Sequence, residues 1–170
     1  MQQKQTAMPV ILLLIFCTVL SVWVWKNVPV EQQSTDVVGL YVEEYNLDAL
    51  LAEGKPVLLN ISSDNCPYCV MMEPELEQIY AQYKDVAVIR EINVDTCPEV
   101  GVQLPVRGTP MQVLFYADGT PYMPDETVEQ QIYFLYYVQK DDETHVLTVH
   151  EGMLYAEHME LILQDMGVTV

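Results

Sequence analysis

The stretch VLLNISSDNCPYC, residues 57–69, joins two different hydrophobic patterns and decides the fold. Its first five residues are mostly apolar and follow a proline, which favours a buried strand. After a Ser-Ser-Asp turn, residues 69–83 carry apolar side chains at helical spacing. The sequence therefore predicts a strand, a short loop and a helix, with Asp64 or Asn65 as the helix N-cap.

Two cysteines, Cys66 and Cys69, stand where this loop meets the predicted helix. A spacing of three residues places both sulfurs on one helical turn, close enough to form a disulfide. The helix N-terminus stabilises a thiolate on Cys66 and lowers its pKa from the ordinary value of about 8.5. Because the thiolate is the form that attacks disulfides, Cys66 is predicted to be the nucleophile and Cys69 the resolving thiol.

A bare C-x-x-C pair is also compatible with a static disulfide or with half of a zinc site. A zinc site needs a second pair of ligands. Cys97 and the three histidines, His145, His150 and His158, do not provide tetrahedral ligand spacing. We therefore expect no metal and no cofactor.

The rest of the chain alternates strand and helix patterns. Strands are predicted at 37–42, 86–95, 111–116 and 146–150, and helices at 47–52 and 155–166. Residues 96–108 form a Pro/Gly-rich connection. The Tyr-rich run 132–138 has high β-propensity and is predicted as an extra strand that pairs with 146–150.

In its order of motifs the sequence resembles the thioredoxin superfamily. The matching segments are GKPVLL (54–59), CPYC (66–69), MMEP (71–74), INVD (92–95), VRGTP (106–110) and FYADG (115–119). The resemblance implies an α/β, thioredoxin-like fold, a central mixed β-sheet flanked by α-helices, with a small insertion before the last strand. It also implies thiol–disulfide oxidoreductase activity on protein thiol and disulfide substrates. A redox partner, which the sequence does not identify, would exchange electrons with the cysteine pair.

The resemblance assigns further residues to the site. Pro110 stands where the family has a cis-proline, and the backbone of Thr109 would pair with an extended substrate segment. Pro67 and Tyr68 would be the active-site dipeptide. The family often buries an acidic residue six positions before the first cysteine, where this chain has Asn60. Because Asn does not ionise, another group or water must accept the proton of the resolving thiol, or resolution is slow.

The N-terminal part of the chain carries an uncharged run, residues 7–25. As a helix it would span roughly 28 Å, close to the thickness of the bilayer core. We interpret 1–26 as a cytoplasmic stub with a signal-anchor transmembrane helix, 27–36 as a linker and 37–170 as the thioredoxin-like domain. A cleaved signal peptide is the competing interpretation, although the run exceeds a usual signal core and no clean cleavage site follows it.

The distribution of charge indicates orientation and excludes some partners. The chain has 7 basic and 25 acidic residues and a formal charge of −18, which argues against nucleic-acid binding. Lys4 precedes the apolar run, and after Lys26 the next 28 residues contain no Lys or Arg. The positive-inside tendency therefore predicts a single-pass protein of the cell membrane, attached by its N-terminal helix, with an extracytoplasmic domain.

Two other functions remain compatible with the sequence. One is a non-catalytic, membrane-tethered thioredoxin-like domain that acts as a binding or chaperone scaffold. The other is a metal chaperone. The direction of electron flow is set by the reduction potential and is not determined by these residues.

Overall fold

Six strands form one mixed sheet in residues 39–170, the part of the chain that the computed structural model describes. They are β1 (Tyr41–Val42), β2 (Val57–Ser62), β3 (Val88–Asn93), β4 (Met111–Phe115), β5 (Leu135–Val138) and β6 (His145–Glu151). The order across the sheet is β1-β3-β2-β4-β6-β5. The first three strands are parallel, whereas β4 is antiparallel to β2, and β6 is antiparallel to both β4 and β5.

Helices cover both faces of this sheet. Within the same described residues they are α1 (Leu47–Leu51), α2 (Pro67–Tyr83), α3 (Val100–Gln103), α4 (Glu126–Glu129) and α5 (Ala156–Asp165). One buried cluster lies between the sheet and helices α2 and α5. A second cluster on the opposite face includes residues of α1 and α3. This is the α/β architecture with a central mixed sheet that the sequence predicts.

Strand β2 shows why the apolar run of residues 57–61 is continuous rather than alternating. Leu58 packs into the α2 face, whereas Leu59 and Ile61 pack into the opposite face. Every residue of β2 is buried. A central strand that is covered on both faces needs apolar side chains in both directions.

The added strand is confirmed but is shorter than predicted. Only Leu135–Val138 is extended, and it pairs antiparallel with β6 as expected. Ile132 and Phe134, which were assigned to the strand, are instead buried in the cluster beneath α2 and α5. The insertion also contains α4, a four-residue helix that the sequence analysis does not predict, capped by the side chain of Asp125.

The predicted transmembrane helix within 1–26 and the linker 27–36 lie outside the described residues, as does the start of the strand predicted at 37–42. Across residues 39–170, none of the helices has both the length and the apolar character needed to cross a bilayer.

Candidate active site

The Cys66–Cys69 pair lies at the junction of the loop after β2 with helix α2. The two sulfurs form a disulfide, and the Cα atoms are 5.2 Å apart. Pro67 occupies the first turn of the helix, where its missing N–H costs no hydrogen bond. Cys66 is 8 % exposed and Cys69 is 5 % exposed, so the disulfide form shows only a small difference in accessibility between them.

Cys66 itself is the N-cap of α2, which corrects the assignment of this role to Asp64 or Asn65. Its backbone is extended, and its Sγ accepts a hydrogen bond from the backbone N–H of Cys69 at 3.1 Å. Asp64 instead accepts a hydrogen bond from the Asn93 side chain of β3. Sulfur thus occupies the position where the N–H groups and the dipole of the helix stabilise negative charge.

The structure brings the predicted proline loop against this pair. The Thr109–Pro110 peptide bond is cis, and the carbonyl oxygen of Thr109 lies 3.3 Å from Sγ of Cys66. The carbonyl of Pro110 accepts a hydrogen bond from the N–H of Gly152 at 2.9 Å, which ties the loop to the end of β6. The geometry therefore places Thr109 and Pro110 beside the first cysteine, as the resemblance implies.

Exposed apolar side chains surround the disulfide on the helix side. Tyr68, Val70 and Met71 are each more than half exposed. On the other side, Nε of Arg107 donates a hydrogen bond to the Glu151 carboxylate at 2.9 Å, and this contact raises the pKa of the arginine. Arg107 therefore balances a neighbouring carboxylate.

A row of buried polar side chains crosses the sheet beneath α2. Asn60 of β2 is in register with Glu91 of β3 on one side and with Gln112 of β4 on the other. Its amide nitrogen donates to Glu91 at 3.0 Å, and its amide oxygen accepts from Gln112 at 2.8 Å. We call Glu91, Asn60 and Gln112 the polar row.

Asn60 was predictable from its position six residues before Cys66, whereas Glu91 was not predicted as part of the site. The alternation of strand β3 does carry a signal for Glu91. Glu91 follows Ile89 by two residues, so both side chains point to the same face of the sheet, and Ile89 lies in the buried cluster there. Its carboxylate is buried, and it also accepts a hydrogen bond from Ser62 at 2.8 Å. Desolvation by burial raises the pKa of Glu91 above its ordinary value, although the hydrogen bonds from Ser62 and Asn60 act in the opposite direction.

Cys97 lies in the cluster on the opposite face of the sheet and is fully buried. Burial raises the pKa of its thiol, which lowers the fraction of thiolate at neutral pH. Cys97 therefore packs as a small buried thiol. Within residues 39–170, no group of three or more His, Cys, Asp or Glu side chains is arranged to hold a metal ion.

A mixed sheet with a cysteine pair at a helix N-terminus, next to a cis-proline, is the arrangement of a thiol–disulfide oxidoreductase with a thioredoxin-like fold. The family model described as Thioredoxin matches residues 37–133, and this chain belongs to that family. Family membership together with the Cys66–Cys69 pair supports thiol–disulfide oxidoreductase activity.

Curated relatives are thioredoxins that align with about half of the chain. The thioredoxin of Acidithiobacillus ferridurans is 34 % identical over 79 residues, which cover 46 % of this chain and 73 % of that protein. The thioredoxin of Alicyclobacillus acidocaldarius subsp. acidocaldarius is 31 % identical over 93 residues, covering 51 % and 88 % respectively.

Solved structures agree with the fold at lower sequence identity. Chloroplastic thioredoxin z superposes with a TM-score of 0.50 at 18 % identity, covering 75 % of this chain and 95 % of that chain. The Malassezia sympodialis thioredoxin Mala s 13 gives a TM-score of 0.51 at 16 % identity, covering 74 % and 89 %. At this identity the likeness concerns the fold alone.

Proposed function

We propose that this protein exchanges thiols and disulfides in extracytoplasmic proteins, with Cys66 as the attacking thiol and Cys69 as the resolving thiol. The observation that carries the proposal is the position of the Cys66–Cys69 disulfide. It lies at the first turn of α2, and the Thr109 carbonyl is 3.3 Å from Cys66. Thioredoxin-family membership supports the reaction class.

The reduced pair would act on a substrate disulfide in two steps. The Cys66 thiolate attacks one substrate sulfur, the substrate S–S bond breaks, and the departing substrate sulfur takes a proton. The Cys69 thiol then loses its proton and attacks Cys66, which releases the second substrate thiol and forms the Cys66–Cys69 disulfide. Two electrons pass from the protein to the substrate, and the reverse sequence oxidises a substrate dithiol.

Substrate binding follows from the surroundings of the pair. The Thr109–Pro110 loop offers backbone groups for an extended segment next to Cys66. The exposed faces of Tyr68, Val70 and Met71 offer apolar contacts on the opposite side. Backbone pairing combined with an apolar surface suits protein substrates of varied sequence, since neither contact requires a particular side chain.

The membrane location of this activity is proposed from the sequence. Residues 7–25 are uncharged and long enough to span a bilayer, and Lys4 lies on the N-terminal side of that run. We propose that this segment stays attached as a single-pass anchor and that the thioredoxin-like domain acts outside the cytoplasm.

Substrate trapping tests the assignment of the two cysteines. Cys69→Ser should accumulate mixed disulfides with substrate proteins, because their release then depends on slow attack by thiols of other molecules. Cys66→Ser should accumulate almost none, because the attacking thiol is missing. The measurement is a non-reducing gel of membranes that express each variant, in which adducts appear as reductant-sensitive bands above the monomer.

Cys97→Ser is the matched control, since it removes a buried thiol on the other face of the sheet. It should behave like the unmodified chain in the gel and in an insulin reduction assay. Equal trapping by the Cys66 and Cys69 variants, or trapping by neither, would contradict the proposal and favour a non-catalytic scaffold.

A further inference from the structure

Glu91 is a buried carboxylate that the exchange chemistry described above does not use. It is 8 % exposed, and its two oxygens accept hydrogen bonds from Asn60 and Ser62. Burying a carboxylate is costly unless a cation balances it, because burial removes the water that solvates the charge. Two neutral hydrogen-bond donors reduce this cost but do not supply the missing positive charge.

The charged groups that face Glu91 increase this cost. Glu73 and Glu77 of α2 act with desolvation to raise its pKa. Tyr41 of β1 and Glu43 lie with Glu73 and Glu91 on one surface cavity, and its described lining residues include no Lys, Arg or His. On the far side of the polar row, His150 of β6 is the register partner of Gln112. Burial lowers the pKa of His150, which favours the neutral imidazole.

The polar row connects Glu91 to the underside of the active-site helix. Beyond Asn60, the amide nitrogen of Gln112 lies 3.5 Å from the sulfur of Met72. Met72 follows Cys69 by three residues in α2, so the two side chains share one side of the helix. The amide oxygen of Gln112 is buried without a hydrogen-bond partner among the described residues. The row therefore ends beneath the turn that carries the second cysteine.

Solvent reaches the other end of the row. The cavity that Glu91 shares with Tyr41 and Glu73 has a volume of about 320 Å³ and opens at the surface. Ser62, the second donor to Glu91, lies four residues before Cys66. Glu91 is thus hydrogen-bonded to the end of the strand that leads into the active-site turn, and its carboxyl group is able to exchange a proton with water at the cavity.

From this arrangement, and resting on the proposed exchange function, we propose that Glu91 is a positioning residue that sets the pH at which Cys66 becomes a thiolate: its buried negative charge opposes the thiolate on the helix above. It acts on the cysteines through the charge at the end of the polar row and does not touch the substrate.

The sign of the coupling follows from like-charge repulsion. An ionised Glu91 disfavours a thiolate on the helix above it, so it shifts thiolate formation to higher pH. Removing the charge in Glu91→Gln should therefore move the midpoint of thiolate formation to lower pH. For an assumed separation of roughly 10 Å, Coulomb's law at an effective dielectric constant of about 20 gives a shift of about one pH unit.

The test measures alkylation of Cys66 by iodoacetamide between pH 4 and pH 10 in the reduced full chain, held in detergent. Mass spectrometry identifies the labelled cysteine. We expect Glu91→Gln to lower the midpoint by up to about one pH unit, and Glu91→Asp, which keeps the charge, to return it towards that of the unmodified chain. His150 is present in every variant, so its own titration cancels in the comparison.

Glu73→Gln is the matched control, because it removes the same charge from an exposed site in the turn after Cys69. Its effect should be smaller and should disappear in 0.5 M salt, whereas the effect of Glu91→Gln should persist because the site is buried. An unchanged midpoint in Glu91→Gln, or a shift that salt abolishes, would overturn the proposal. A failure of the proposed function is distinguishable, since it appears as absent insulin reduction by the unmodified chain and leaves the alkylation measurement intact.

Discussion

Replacing Asn60 by Asp places a second carboxylate against Glu91 and provides a sharp test of the polar row. The amide nitrogen that donates to Glu91 at 3.0 Å would become an oxygen. Two negative charges about 3 Å apart repel by roughly 5 kcal/mol at an effective dielectric constant of about 20. Holding one proton on the pair is therefore less costly than leaving both groups ionised, and the pair should retain a proton at pH 7.

The expected loss of stability follows from the cost of that proton. Keeping an Asp protonated in the native state costs about 1.4 kcal/mol of folding free energy for each pH unit above its ordinary pKa of about 3.9. The loss should therefore approach about 4 kcal/mol at pH 7 and fall to about 1.5 kcal/mol at pH 5. The sign is that of a raised carboxyl pKa: the native state is favoured at low pH, and this stability is lost as the pH rises.

Urea unfolding of the oxidised full chain in detergent, followed by far-UV circular dichroism at pH 5 and pH 7, measures this difference. The double variant Asn60→Asp with Glu91→Gln is the control, because it restores one carboxylate and one amide donor in exchanged positions. It should recover most of the stability and remove most of the pH dependence. An equal loss at both pH values, or no recovery in the double variant, would refute the reasoning.

Two further predictions concern the core and the membrane segment. Leu76→Ala, at a fully buried position of α2, should lower the free energy of unfolding by about 2–5 kcal/mol in urea, whereas exposed Gln78→Ala should change it by about 0.5 kcal/mol or less. A loss within the range of the control would show that α2 does not depend on this contact. The full chain should remain in membranes washed with carbonate, and a mature N-terminus near residue 27 would show instead that residues 7–25 are a cleaved signal.

Long apolar patterns were predictable because burial on defined faces leaves a periodic signal. Strand β2 and helix α2 were found within one or two residues, since each keeps one pattern over its length. The four-residue helices α3 and α4 were missed because one turn is too short for a period to show. Residues 132–134 were assigned to a strand on β-propensity, but two of their side chains, Ile132 and Phe134, pack into the core outside a strand.

The disulfide pair and the Thr109–Pro110 loop were predictable for a different reason, since their residues form motifs whose order matches a family. The partners of those residues in space were not predictable. Cys66 replaced Asp64 as the N-cap because its own sulfur meets the N–H of Cys69. Glu91 was not predicted as a buried residue because a single acidic residue in an alternating strand usually faces water. Its burial becomes visible only from the register that places it beside Asn60.

The position of the carboxylate determines how its proton can move. At position 60, a carboxylate would lie in the central strand β2, between Glu91 and Gln112 and beneath the helix. At position 91 it lies in the neighbouring strand β3, beside a cavity that reaches the surface. Asn60 then keeps the central position polar and hydrogen-bonded without charge. With the charge on this side of the sheet, an ionised Glu91 opposes the Cys66 thiolate from beneath the helix, while the Thr109–Pro110 side of the disulfide stays free for a substrate segment.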